Sequence, residues 1–222
     1  MIISKTNYHI KPFKRSKVIT TGATLPDGRL DRQAERLNHL QHTIDGLTWN
    51  TGMHLEFGVF SGTTLNMLAD SRPHDIVHGF DSFEGLPEQW KTNPNDTKHT
   101  AGYFATDIPK VRDNVKLWVG WFDQQIPEYL KVYPKTPIAY LHIDGDLYSS
   151  AWTVLSELNH LIITGTTILF DEFCPFGPYS KPYKLWPEHE YKALKEWTIQ
   201  YDREFEILHR NNHQQCAIRI VK

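Results

Sequence analysis

The sequence predicts an α/β fold with a mainly parallel sheet, helices on both faces and an antiparallel hairpin at its carboxyl end. Short apolar runs alternate with amphipathic stretches along most of the chain, as strand–helix–strand units require. One early run passes through a glycine-bearing turn straight into a helical stretch. Four runs stop at Gly58, Asp81, Asp144 and Asp171, residues that suit the end of a strand better than its interior.

Each element has its own signal. Residues 1–30 have mixed polarity and no sustained period, and read as an N-terminal arm or cap. Residues 31–222 read as one domain. In 31–47, Ala34, Leu37, Leu40, Ile44 and Leu47 recur at steps of three and four, which predicts an amphipathic helix with Asp31 as its N-cap. MHLEFGVF follows as a strand and runs into Ser61-Gly62-Thr63-Thr64, with a helix beginning over 64–69. Further strands are expected over 76–80, 116–119, 138–143 and 166–170, the second of them ending at Gly120. Helices are expected over 149–162 and 188–199. The last two strands, 204–209 and 215–221, flank Asn211-Asn212 and predict a hairpin, because Asn tolerates the positive φ of tight turns. Residues 87–102 form the longest irregular polar stretch, equally compatible with a substrate lid and a disordered surface loop.

Composition excludes several classes. Lys and Arg total 24 against 26 Asp and Glu, so the basic excess of a nucleic-acid binder is missing. The basic run Lys11, Lys14, Arg15 and Lys17 is local and reads as a solvated arm. Two cysteines, Cys174 and Cys216, are too few for a disulfide framework and suit a reducing compartment. No apolar run is long enough to span a bilayer, so a cytoplasmic protein without a membrane partner is expected. The oligomeric state stays open, homo-oligomer formation through the N-terminal arm being one option.

The chemistry is expected where the strands end, since open α/β sheets bind ligands outside their carboxyl edge. Acidic groups there are costly unless they bind something. Asp is also a common helix cap, but three such positions are harder to explain as caps. The turn Glu56-Phe-Gly58-Val-Phe60-Ser-Gly62 lacks the third glycine of a dinucleotide fingerprint and is led by an acid. An acid is a poor neighbour for pyrophosphate and a good one for a cation such as the sulfonium of S-adenosylmethionine. Taken alone, the turn fits an ordinary strand–helix junction as well. Asp81, at the next strand end, is suited to accept hydrogen bonds from ribose hydroxyls. Asp144 and Asp146, with Asp171 and Glu172 on the neighbouring strand end, gather carboxylates that repel unless a cation compensates. A hard divalent ion with oxygen ligands, Mg²⁺ above all, is the usual answer.

The segments LEFGVFSGTT, GFDSFEGLPE, HIDGDLYSS and LFDEF, in this order and spacing, resemble the macrocin O-methyltransferase family, and more distantly the catechol O-methyltransferase type. The resemblance is strong over roughly 50–175. It implies a Rossmann-like class I methyltransferase with a seven-stranded sheet. It implies that S-adenosylmethionine lies against Glu56, Gly58, Phe60, Ser61, Gly62 and Thr64. Asp81, Ser82 and Phe83 would take the ribose, and Gly120 and Trp121 the adenine side. Asp144, Asp171 and Glu172 would be the metal ligands. Asp144 would also be the general base, with Asp146 as second choice. Glu172 departs from the family, which carries Asp there. The implied reaction is Mg²⁺-assisted O-methylation of a hydroxyl on a small molecule or sugar. The open alternatives are a metal-independent methyltransferase acting on another small nucleophile, an NAD-type oxidoreductase and a non-catalytic binding module. His142 reads as a packed polar core residue rather than a base. His189 and Glu190 begin a late helix and read as a solvated helix start, with a place facing the active site as the alternative. Trp90, Tyr103 and Phe104 are candidates for an acceptor wall or for simple loop anchors.

Overall fold

The computed structural model describes residues 2–3, 16–48, 51–173 and 183–222. The basic residues at 11, 14 and 15 and Cys174 lie outside them. The strands are β1 (Ile2–Ile3), β2 (Met53–Phe57), β3 (Val77–Asp81), β4 (Val115–Val119), β5 (Ile138–Ile143), β6 (Thr167–Phe170), β7 (Phe205–Arg210) and β8 (Cys216–Ile220). They form one sheet in the order β1-β7-β8-β6-β5-β2-β3-β4. Strands β2 to β6 pair in parallel, and β8 runs antiparallel to both β6 and β7. The seven strands expected from the sequence are all present. The two-residue β1, antiparallel to β7, is an addition at the edge that no period could announce.

Helices cover both faces. On one side lie α1 (Arg32–Asp45) and α2 (Thr63–Ser71), whose Leu40, Ile44, Leu65 and Leu68 pack with Tyr140 and Leu169 of the sheet. On the other lie α3 (Phe122–Val132), α4 (Tyr148–Glu157) and α5 (Glu190–Gln200), packed on Phe57, Phe80, Leu141, Ile143 and Phe170. The alternation within β5 and β6 follows from the period of two in a strand: neighbouring residues point to opposite faces. A sheet buried on both sides explains why its strands are nearly continuous apolar runs.

Helix α1 begins where expected, with the Asp31 carboxylate accepting from Ala34 N at 3.0 Å. Helix α3 was not anticipated, because Pro127 sits inside it and interrupts the pattern. The late helix starts two residues after the expected point, behind a short 3₁₀ turn at Trp186–Glu188. Residues 16–30 lie beside the sheet edge, where Ile19 N donates to Arg210 O at 2.8 Å and Arg210 N to Lys17 O at 2.9 Å. The Glu35 carboxylate ties this segment to α1 by accepting from Thr20 Oγ1, Thr21 N and Gly22 N. No helix among the described residues is long and apolar enough to cross a membrane. Cys216 is buried as a free thiol.

Candidate active site

Strand order reverses between β2 and β5, because β3 flanks β2 on one side and β6 flanks β5 on the other. A cavity of about 860 Å³ opens at the carboxyl edge around this switch point. Its walls come from the turns after β2 to β6 and from the first turns of α1.

The turn after β2 is fixed by backbone geometry. Gly58 has φ +97°, and a Cβ there would stand 1.9 Å from the carbonyl oxygen of Asp144. Only glycine allows both this conformation and this approach of the β2 and β5 turns. Asp81 organises the same region. Its Oδ2 accepts from Val59 N and Phe60 N, each at 2.8 Å, and its Oδ1 from Phe83 N at 2.8 Å. The carboxylate thus locks the turns after β2 and β3 together, leaving acceptor capacity on Oδ1. Phe60, Phe83, Phe104 and Asp146 all have positive φ, a conformation uncommon in non-glycine residues and concentrated here around one chamber.

Of the residues expected to bind cofactor, Gly58, Phe60, Asp81, Ser82 and Trp121 line the chamber. Glu56, Ser61, Gly62, Thr64, Phe83 and Gly120 stand outside its wall, behind or beside it. Glu56 is fully buried. It accepts from Thr64 Oγ1 at 2.9 Å and pairs with His142 Nδ1 at 3.0 Å. Alternation puts Glu56 on the same face as Gly58 but two residues deeper, about 6–7 Å below the strand end at ~3.3 Å per residue.

All four expected acidic residues, Asp144, Asp146, Asp171 and Glu172, line the chamber. Beneath them runs a buried polar chain, Glu56–His142–Asp171–Gln215. Burial disfavours charge on His142, but hydrogen bonding to Asp171 and Glu56 prevails and pushes it up to about 10. His142 is therefore an imidazolium clamped between two carboxylates: a core residue, as expected, but an ion-paired one. Asp171 resists the effect of burial because Arg36 and His142 hold its carboxyl below the usual range. Burial raises Asp144 to about 7 against the pull of Arg36. Burial, then the charges of Asp144 and Asp171, raise Asp146 well above the ordinary carboxylate range. Glu172 and Glu190 are raised well above it too, first by burial and then by Asp171. Glu172 Oε2 and Glu190 Oε1 are buried without a hydrogen-bond partner.

Glu190 corrects one expectation. It begins α5 but is fully buried, and its Oε2 accepts from Glu172 N at 3.1 Å. His189 does not line the chamber; its Nε2 lies 3.1 Å from the Lys91 carbonyl. Residues 87–102 are ordered rather than loose. Trp90 N donates to His99 O, Trp90 Nε1 donates to Tyr183 OH at 2.7 Å, and Asp96 accepts from Thr92 and from Lys98 N. Trp90 and Phe104 face the chamber, while Tyr103 packs against Phe104 and His99.

Sequence reasoning missed Arg36. This α1 residue bridges the two acidic strand ends: its Nη2 donates to Asp144 Oδ2 and its Nε to Asp171 Oδ2, the latter at 2.7 Å. The surplus of carboxylates was a legible demand for a cation. That a helix far upstream supplies it depends on tertiary packing.

A family model described as a methyltransferase domain matches residues 55–173, the stretch from β2 to the end of β6 and its acidic turn. The chain belongs to this family. Among curated relatives, demethyldecarbamoylnovobiocin O-methyltransferase of Streptomyces niveus is 27% identical over 165 residues, covering 64% of this chain and 62% of the relative. Mycinamicin III 3''-O-methyltransferase of Micromonospora griseorubida is 26% identical over 164 residues, covering 63% of each. The chain thus spans about three-fifths of the length of these relatives. They bear out the kinship that the motifs implied. Among solved structures, the calicheamicin methyltransferase CalS11 superposes with a TM-score of 0.64 at 23% identity, over 88% of this chain and 82% of its own. The O-methyltransferase NovP gives 0.60 at 19% identity, over 85% and 81%. Both share the Rossmann-like fold of this family member.

Proposed function

We propose that the chain transfers the methyl group of S-adenosylmethionine to a hydroxyl of a small molecule, a sugar hydroxyl among the candidates. The observation that carries this reading is Asp144. It stands at the end of β5 at the switch point, on the wall of the large chamber, where burial raises its carboxyl above the usual carboxylate range. A general base works best with a pKa near the operating pH. Membership of a methyltransferase family, and O-methyltransferases among the relatives, support the same reading.

S-adenosylmethionine supplies the activated methyl group: its carbon–sulfur bond breaks as the carbon–oxygen bond forms. The chain's residues prepare that exchange. Gly58, Phe60, Asp81, Ser82 and Trp121 form the cofactor side of the chamber. The turns built by Gly62, Thr64 and Phe83 hold them in place from behind. Asp144 accepts the proton of the hydroxyl. Much of the rate enhancement then comes from alignment of sulfur, methyl and oxygen. Trp90 and Phe104 supply an apolar wall for the acceptor.

The donor set fits a hard divalent cation. Asp144 and Asp171 would hold it, with the partnerless Oε2 of Glu172 as a third oxygen. Held by these residues, Mg²⁺ would supply Lewis-acid chemistry that lowers the pKa of the acceptor hydroxyl. His142, though close to Asp144 and Asp171, has both ring nitrogens directed at carboxylates and is a poor ligand.

The test is release of S-adenosylhomocysteine from S-adenosylmethionine with a panel of sugar and phenol acceptors, with and without EDTA. Turnover on a hydroxyl acceptor, abolished in Asp144→Asn, is the expected result. Unchanged turnover in that variant removes Asp144 from the mechanism. EDTA-resistant turnover removes the metal.

A further inference from the structure

Arg36 and a divalent cation call for the same two carboxylates. The guanidinium donates to Oδ2 of Asp144 from Nη2 and to Oδ2 of Asp171 from Nε. These are the two carboxylates that the preceding reading gives to the metal. Mg²⁺ needs its ligand oxygens at about 2.0–2.1 Å in a near-octahedral shell. A guanidinium seated between the same two carboxylates fills that space and adds a positive charge beside the ion.

The rest of α1 shows how the exchange would occur. Leu40 and Ile44 anchor its carboxyl-terminal half in the core. Its amino-terminal half presents Arg32, Gln33 and Arg36 to the chamber instead. Arg36 is 28% exposed and lines the chamber, so its side chain borders open space. Arg36 links this half of the helix to the acidic strand ends, while the buried Glu35 holds it to residues 20–22.

We propose, resting on the reading above, that Arg36 is the resident cation of this site and the competitor of the metal. The metal-free chain holds the Asp144 and Asp171 carboxylates in position by docking Arg36 on them. A divalent cation binds only when Arg36 lets go, and the first turns of α1 are then loosened. Arg36 is a positioning residue. Its departure couples metal loading to the helix that closes one side of the chamber.

Mg²⁺ is titrated calorimetrically into the wild-type chain, Arg36→Met and Asp171→Asn. Hydrogen exchange of residues 32–37 is followed with and without Mg²⁺. If Arg36 is docked in about nine molecules of ten, its removal tightens the apparent Mg²⁺ affinity about tenfold. Asp171→Asn should bind Mg²⁺ more weakly than wild type. In the wild-type chain, Mg²⁺ should speed exchange over 32–37. Equal Mg²⁺ affinity in wild type and Arg36→Met overturns the proposal, as does wild-type exchange that Mg²⁺ slows or leaves unchanged. Absence of Mg²⁺ binding in all three proteins overturns it too. S-adenosylhomocysteine binding, measured on the same samples, reports separately on the methyltransferase reading. The exchange experiment needs no variant, so it decides the matter even if Arg36→Met does not fold.

Discussion

Replacing His142 by Leu isolates the buried chain beneath the site. The imidazolium lies 3.0 Å from Glu56 Oε2 and 3.4 Å from Asp171 Oδ1, and all three side chains are at most 3% exposed. Removing one partner of a buried ion pair costs about 3–5 kcal/mol, because the remaining charge is left uncompensated. Thr64 still donates to Glu56, and Arg36 and Gln215 still donate to Asp171, which argues for the lower part of that range. For a chain of this size each kcal/mol moves Tm by about 2–4 °C, so a fall of roughly 6–20 °C is expected. Urea unfolding followed by tryptophan fluorescence at pH 7 gives the free energy directly, and the midpoint should drop with an unchanged slope. Adding Glu56→Gln to His142→Leu should return part of the loss, since the orphaned charge is then gone. A single variant within about 1 kcal/mol of wild type would refute the ion-paired imidazolium.

The remaining predictions concern the turn, the base and acid stability. Gly58→Ala drives a methyl group into the Asp144 carbonyl and should abolish S-adenosylhomocysteine binding or folding, read by calorimetry and circular dichroism. A normal binding isotherm would contradict the close approach. Asp144→Asn should lose at least about a hundredfold in turnover while keeping cofactor affinity within a few-fold, by steady-state kinetics and titration. His54 and His78 are fully buried, and burial lowers each from its ordinary value to about 4. At these two sites the folded state binds fewer protons than the unfolded one below pH 6.5, so their contribution to the unfolding free energy falls as pH drops from 6.5 towards 4. The slope is at most about 1.4 kcal/mol per pH unit for each of the two. A His54→Gln, His78→Gln double variant whose urea midpoint keeps the wild-type pH slope across this window would show the imidazoles to be solvated.

The strand ends were legible because a strand buried on both faces is an apolar run, and such a run must stop where polar chemistry begins. That is why Gly58, Asp81, Asp144 and Asp171 could be read as one edge before any topology was known. Helix α3 was not legible, since Pro127 breaks the pattern that neighbouring Ile126 and Tyr129 keep by being buried. The depth of Glu56 was lost for a different reason. Period two gives the face of a residue but not its distance from the strand end. Glu190 was misread because its neighbours in sequence are polar, while its burial comes from Glu172 and the sheet end above it. Arg36 required knowledge of where α1 packs, and the helix pattern yields only which of its faces is apolar.

The central claim is that the chamber at the sheet's carboxyl edge holds S-adenosylmethionine. Isothermal titration of the full chain with S-adenosylhomocysteine, with and without Mg²⁺, tests it most directly. The account predicts one molecule bound per chain in the micromolar range, roughly −8 kcal/mol, and loss of that binding in Gly58→Ala. Absence of binding under both conditions would contradict the claim and leave the family fold without its cofactor.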